Sequence, residues 1–225
     1  MNPVLKRTLT GILVGVAVLA AVLLAPLCAF PWVIAVLAVL AFWEYAALLK
    51  KKLPLASLPG LSMLAVGFCA VCGGLSMLAA IALKGGTPMR GNLMLLYVIT
   101  LVKFSDVGGF AFGLSSAKLM KGGNHKLCPS ISPGKSWEGL AGSLFASCLV
   151  SCCWISGTGY SLAKALAFGA VGALVGTFGD LVESKFKRWV GVKDSAALAF
   201  TNGMGGLLDM LDSLMFAPAV LYPFL

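Results

Sequence analysis

From Trp32 to Leu49 the chain runs eighteen residues with a single charged side chain, Glu44, before Lys50, Lys51 and Lys52 close it. A helix needs roughly 20 apolar residues to cross the hydrocarbon of a bilayer. Inside hydrocarbon every backbone amide must be satisfied within the segment, so such a run folds as a helix and not as a loop or open sheet. Comparable runs span Leu9 to Leu27, Leu61 to Leu83, about Glu138 to Ile155 and about Leu162 to Val182, and two more start near Leu93 and Gly206. With 60% hydrophobic and 11% charged residues, a soluble domain of 225 residues could not hide its apolar surface. The expectation is an all-α polytopic integral membrane protein with about seven transmembrane helices, multi-pass in the cell (inner) membrane.

Lys6 and Arg7 precede the first run. No small-x-small cleavage site follows it, and Leu27 before Cys28 does not suit a lipoprotein signal, so it reads as an uncleaved span and not as a signal peptide. With the N-terminus cytoplasmic, thirteen of the seventeen Lys and Arg residues fall on the cytoplasmic side, as the positive-inside rule requires. The net charge of +9 therefore reports topology and lipid contact, and no nucleic-acid partner is expected. The chain divides into N-terminal spans over residues 1–90 (about three) and a C-terminal transmembrane region over residues 91–225, whose cytoplasmic loops are placed at 115–137 and 184–205.

The eight acidic residues complete the pattern. Glu44, Asp106, Glu138, Asp180, Glu183, Asp194, Asp209 and Asp212 all map to cytoplasmic loops or the cytoplasmic half of a span, and all but Glu44 lie beyond residue 100. A polar, cation-loaded cavity open to the cytoplasm is predicted, built from the fourth to seventh spans. Asp209 and Asp212 are three residues apart and share a helix face. Paired carboxylates repel unless a cation sits between them, and acids near hydrocarbon are usually paired, metal-bound or functional. With Lys185, Lys187, Arg188 and Lys193 just upstream, they point to chemistry on a phosphate assisted by a divalent metal.

Two further segments should line the cavity. Ser132-Pro133-Gly134 reads as a turn carrying Lys135, suited to phosphate oxygens. Glu138 follows at a helix start, where the dipole alone also favours an acid. The second segment is Gly179 to Ser184, leading into the basic run. Asp106 is a further ligand or the partner of a lysine such as Lys103. Glu44 reads equally as an acid snorkelling beside its lysines or as a functional group. His125 reads as a solvated loop residue. Of the seven cysteines, Cys69 and Cys72 are three apart, but no histidine or further cysteine completes a metal site, so they read as small packing residues. Gly203, Gly205 and Gly206 allow close approach of backbone to a ligand, or a plain turn.

These residues carry a resemblance. Ser184-Lys185-Phe186-Lys187-Arg188, four residues, Lys193-Asp194, and then Gly205-Gly206-Leu207-Leu208-Asp209-Met210-Leu211-Asp212 resemble the signature of the phosphatidate cytidylyltransferases, the CDP-diacylglycerol synthases. The SPGKSWEG and Asp106 segments resemble two further blocks of that family, so the likeness covers roughly Ser105 to Ser213. The chain departs from the pattern at Met204, where histidine is usual, and at Met210, where arginine is usual. Two extra residues stand between Lys193-Asp194 and the Gly-Gly pair, and Gly134 replaces a second basic residue.

The resemblance implies CMP transfer from CTP to phosphatidic acid, giving CDP-diacylglycerol and pyrophosphate with Mg2+ as cofactor, and a possible homodimer. Carried over, it makes Lys193, Asp194, Asp209 and Asp212 catalytic, with Mg2+ on Asp180, Asp209 and Asp212. Ser132, Lys135, Lys187, Arg188, Asp106 and Glu138 would bind substrate. The lipid phosphomonoester has a second pKa near 6 and arrives largely ionised, so the reaction needs no general base. The rival classes are a cation- or proton-coupled transporter, another Mg2+-dependent lipid-phosphate transferase such as a polyprenyl-phosphate sugar transferase, and an inactive scaffold.

Overall fold

The computed structural model describes residues 29–192 and 206–225, together with Val22 and Pro26. The predicted first span therefore lies outside the described residues, apart from those two positions. Helix α1 is Ala29–Lys50, α2 is Leu58–Lys84 and α3 is Pro88–Leu119. A two-stranded hairpin follows, β1 Lys126–Cys128 and β2 Ser132–Ser136. Then come α4 Trp137–Cys153, α5 Leu162–Val190 and α6 Leu207–Leu221, the last continued by a 3-10 turn to Phe224. Five of these helices, all but the 17-residue α4, are long and apolar enough to cross a bilayer. The fold is that of a helical, multi-pass membrane protein.

Local sequence explains the element ends. Ser57, Thr87, Ser136 and Ser161 each stand in extended backbone before a helix and accept from an amide of its first turn. Gly191 closes α5 in the left-handed region, φ 88°, a conformation glycine adopts without steric cost. One π-turn, Cys69–Gly73, interrupts α2.

Two loop assignments from the sequence need correction. Residues 115–119 belong to α3, and residues 184–190 belong to α5. Helices of 32 and 29 residues are about 48 and 44 Å long, well beyond a hydrocarbon core of roughly 30 Å. Hydropathy ends where charge begins, but the helix does not. Lys187 pairs with Glu183 one turn back at 2.6 Å, and Lys118, Lys187 and Arg188 suit the carbonyl ends of their helices. The Ser132-Pro133-Gly134 turn is also corrected. These residues form β2, with Cys128 opposite Ser132 and Lys126 opposite Ser136. Both strands of a two-stranded ribbon are edges, where proline removes no needed ladder bond.

Small residues set how closely the helices approach. Gly139, Gly142 and Ser143 of α4 lie against Gly108 and Gly109 of α3; a Cβ on Gly142 would stand 2.6 Å from Gly108 O. On α5 the buried face reads Ala165, Gly169, Gly172, Gly176, Gly179, Glu183. A Cβ on Gly169 would come within 2.6 Å of Cys148 Cα on α4, and one on Gly179 within 2.8 Å of Asp212 O on α6. Interhelical contact in lipid rests on such backbone approach.

Glu44 is the sharpest departure from the sequence reading. It does not snorkel. It is 0% exposed, and its Oε2 accepts from Leu208 N at 2.9 Å. Beside it, Tyr45 stacks on Phe186 at 4.6 Å and donates to Met63 O at 2.8 Å. The C-terminal end of α1 is thus packed against the C-terminal end of α5 and the start of α6. At the other end of the molecule lie Tyr97, Trp154, Tyr160 and Phe168, in ring contact, with Lys84 donating to Tyr222 O at 3.0 Å.

Candidate active site

At the Glu44 end, α3, the hairpin, α4, α5 and α6 enclose a cavity of about 560 Å³. A pocket of that size suits a small-molecule ligand. The α3 helix contributes Lys103 and Asp106, β2 contributes Ser132 and Lys135, α5 contributes Asp180 and Lys187, and α6 contributes Asp209, Asp212 and Ser213. Phe110, Leu127 and Leu140 add apolar surface to the same wall.

Of the sequence-derived candidates, Asp106, Ser132, Lys135, Asp180, Lys187, Asp209 and Asp212 all line this one cavity. Arg188 does not; its guanidinium is near the carbonyls of Ile131 and Val192, at 3.5 and 3.4 Å. Glu138 is also outside the lining. It ties the base of the hairpin, 2.6 Å from His125 Nδ1 and accepting from His125 N at 3.2 Å. Lys193, Asp194, Gly203, Met204 and Gly205 lie outside the described residues.

The cavity's charges are ordered by ion pairs. Lys135 Nζ lies 2.6 Å from Asp180 Oδ2. Lys187 bridges Glu183 Oε2, at 2.6 Å, and Asp209 Oδ1. Asp209 also reaches back to accept from Gly206 N at 2.8 Å, holding the first turn of α6. Lys103 donates to Met210 O at 2.9 Å and lies 3.4 Å from Asp106 Oδ2. Ser213 Oγ sits between two acids, 3.1 Å from Asp106 Oδ1 and 3.1 Å from Asp212 Oδ1.

Carboxylate oxygens of Asp180, Glu183 and Asp212 lie within 4.8 Å of one another. Glu183 Oε1 is buried without a hydrogen-bond partner. Two like charges about 4 Å apart repel by roughly 4 kcal/mol at an effective dielectric of 20, so a cation is the natural complement of this trio. Hard oxygen donors of this kind suit Mg2+ or Ca2+ and not a soft metal. Counting Glu183, the site holds five carboxyl groups and three lysines; with all of them ionised the excess is two negative charges, which one divalent ion would cancel. Sequence reasoning gave Glu183 no metal role. Its spacing of three residues from Asp180 is the same signal that singled out Asp209 and Asp212.

A sequence model of the cytidylyltransferase family matches residues 61–225. The chain is 40% identical over 132 residues to a phosphatidate cytidylyltransferase of Staphylococcus aureus, covering 58% of this chain and 48% of that protein. It is 37% identical over 136 residues to the Haemophilus influenzae phosphatidate cytidylyltransferase, covering 58% and 44%, and 39% identical over 132 residues to that of Staphylococcus saprophyticus, covering 58% and 48%. The chain spans about half the length of the curated relatives it matches.

Proposed function

The chain belongs to the cytidylyltransferase family, and from that premise we propose that it transfers a cytidylyl group from CTP to phosphatidic acid. A phosphate oxygen of the lipid attacks the α-phosphorus of CTP. The new P–O bond gives CDP-diacylglycerol, and the bond to the β-phosphate breaks, so that pyrophosphate leaves with the electron pair. The observation that carries this reading is the single cavity in which Lys103, Lys135 and Lys187 face Asp106, Asp180, Asp209 and Asp212, with apolar Phe110, Leu127 and Leu140 beside them. Charge for a triphosphate and apolar surface for a lipid are both present.

The roles follow from the contacts. Lys135 and Lys187 bind phosphate oxygens and offset the repulsion between two anionic substrates. Ser132 adds a hydrogen bond. Asp209 orients Lys187. Asp180 and Asp212, with Glu183 beside them, are the residues that would hold Mg2+. A bound Mg2+ would supply positive charge to the triphosphate and to the leaving pyrophosphate. No side chain need take a proton, because the lipid phosphate is already an oxyanion.

The cavity is proposed to open to the cytoplasm, where CTP is found. The basic residues at that end, Lys50 to Lys52, Lys118, Lys121, Lys126, Lys185 and Arg188, support this orientation, with the N-terminus on the same side and seven spans in all. The decisive experiment is an assay of purified protein with CTP and phosphatidic acid, with and without Mg2+. Metal-dependent CDP-diacylglycerol and pyrophosphate in equal amounts are expected; their absence with intact, folded protein would overturn the reading.

A further inference from the structure

A carboxylate that the proposed chemistry does not use is buried beside the helix that carries it. Glu44 of α1 is 0% exposed, and none of the ion pairs among the described residues involves it. Its Oε2 accepts from Leu208 N at 2.9 Å, while its Oε1 is buried with no hydrogen-bond partner. An unpaired charge in such a place is costly and needs compensation. Here that compensation comes from the amide end of α6, whose first-turn donors and dipole favour an anion.

We propose that Glu44 is a positioning residue for the transfer reaction: it fixes the first turn of α6, and so the placement of Asp209 and Asp212 in the cavity. The proposal rests on the reading of that cavity as the cytidylyl-transfer site. The N-cap of α6 is Gly206, which has no side chain to hold the orphan amides. Two carboxylates do so instead. Asp209 takes Gly206 N from within the helix, and Glu44 takes Leu208 N from a different helix. Leu208 immediately precedes Asp209 and lies one turn before Asp212. The α1 helix is itself braced at this level by the Tyr45 hydroxyl on Met63 O and the Tyr45–Phe186 stack. Glu44 also lies outside residues 61–225, the part matched to the family.

The test compares Glu44→Gln and Glu44→Ala with the wild type, each normalised to monodisperse folded protein. Three readouts are taken: steady-state CDP-diacylglycerol formation, Mn2+ binding to the protein alone by electron paramagnetic resonance, and hydrogen exchange of peptides covering residues 206–212 and, as a reference, α5. Glutamine keeps an acceptor for Leu208 N and should stay within about threefold of wild type throughout. Alanine should lower kcat and weaken Mn2+ binding, each by about 10- to 100-fold, as expected for loss of a group that supports a metal ligand. Its KM for CTP should change little, and faster exchange should be confined to the first turn of α6. Unchanged kcat, Mn2+ binding and α6 exchange in Glu44→Ala would overturn the proposal. So would exchange loosened equally in α5 and α6, or a Glu44→Gln variant as impaired as Glu44→Ala. If the wild type makes no CDP-diacylglycerol, the assigned reaction falls, and the Mn2+ and exchange readouts still decide the role of Glu44.

Discussion

Lys135 of the hairpin meets Asp180 of α5, Nζ to Oδ2 2.6 Å. This contact joins the hairpin to a carboxylate of the acidic trio. The hairpin is tied at its base by Glu138 on His125 and by Trp137 N on His125 O at 3.0 Å, so the position of Lys135 is set at both ends.

Lys135→Ala should lower kcat/KM for CTP by about 100-fold, the typical effect of losing one charge contact to a developing oxyanion. Lys135→Arg should recover only part of it, because a planar fork does not replace a compact ammonium. Steady-state kinetics at varied CTP reads both.

Asp212→Asn and Asp180→Asn remove charge from the acidic trio at nearly constant volume. Each should reduce turnover by about a hundred- to a thousandfold. Each should also raise the Mg2+ concentration needed for half-maximal activity, measured by metal titration at saturating substrates.

The Lys187 side chain is 12% exposed and bridges Glu183 and Asp209. Lys187→Met leaves buried carboxylates without their cation and should cost about 3–5 kcal/mol of stability. Thermal unfolding in detergent would show a lowered Tm. Adding Glu183→Gln to Lys187→Met should restore part of the loss, and a double-mutant cycle measures how much.

Gly142→Val places a branched side chain where a Cβ alone would stand 2.6 Å from Gly108 O. Overpacking of this kind costs about 1–3 kcal/mol. A lower yield of monodisperse protein is expected, with activity falling in proportion.

His125→Ala should change little. The His125–Glu138 side-chain pair is exposed on the histidine side and screened by solvent, and the backbone bonds of residue 125 to Glu138 and Trp137 remain. Activity within about threefold of wild type is the expected result in the same assay.

The helices were legible because their pattern is long and local: a run such as Trp32 to Leu49 needs no partner to be recognised. The cavity was legible because acids and lysines are rare in this chain, so each one stands out. Helix ends were less legible. Residues 184–190 look like a polar loop, and only the Glu183–Lys187 spacing signals that α5 continues. The hairpin was hidden because Pro133 and Gly134 ordinarily mark turns, yet both sit in an edge strand. Glu44 was hidden for a different reason. Its partner, Leu208 N, lies 164 residues away, and the group that matters on that partner is a backbone amide. No side-chain pattern announces an amide.

The glycine face of α5 has a chemical consequence. At Gly179 there is no side chain between α5 and α6, and a Cβ would stand 2.8 Å from Asp212 O and 2.8 Å from Phe216 Cδ2. The gap between Asp180 and Asp212 is therefore inherited from two main chains in touch, not from rotamers that could readjust. A single methyl group at position 179, carrying no charge and lying outside the cavity lining, would force the two main chains apart beside both acids.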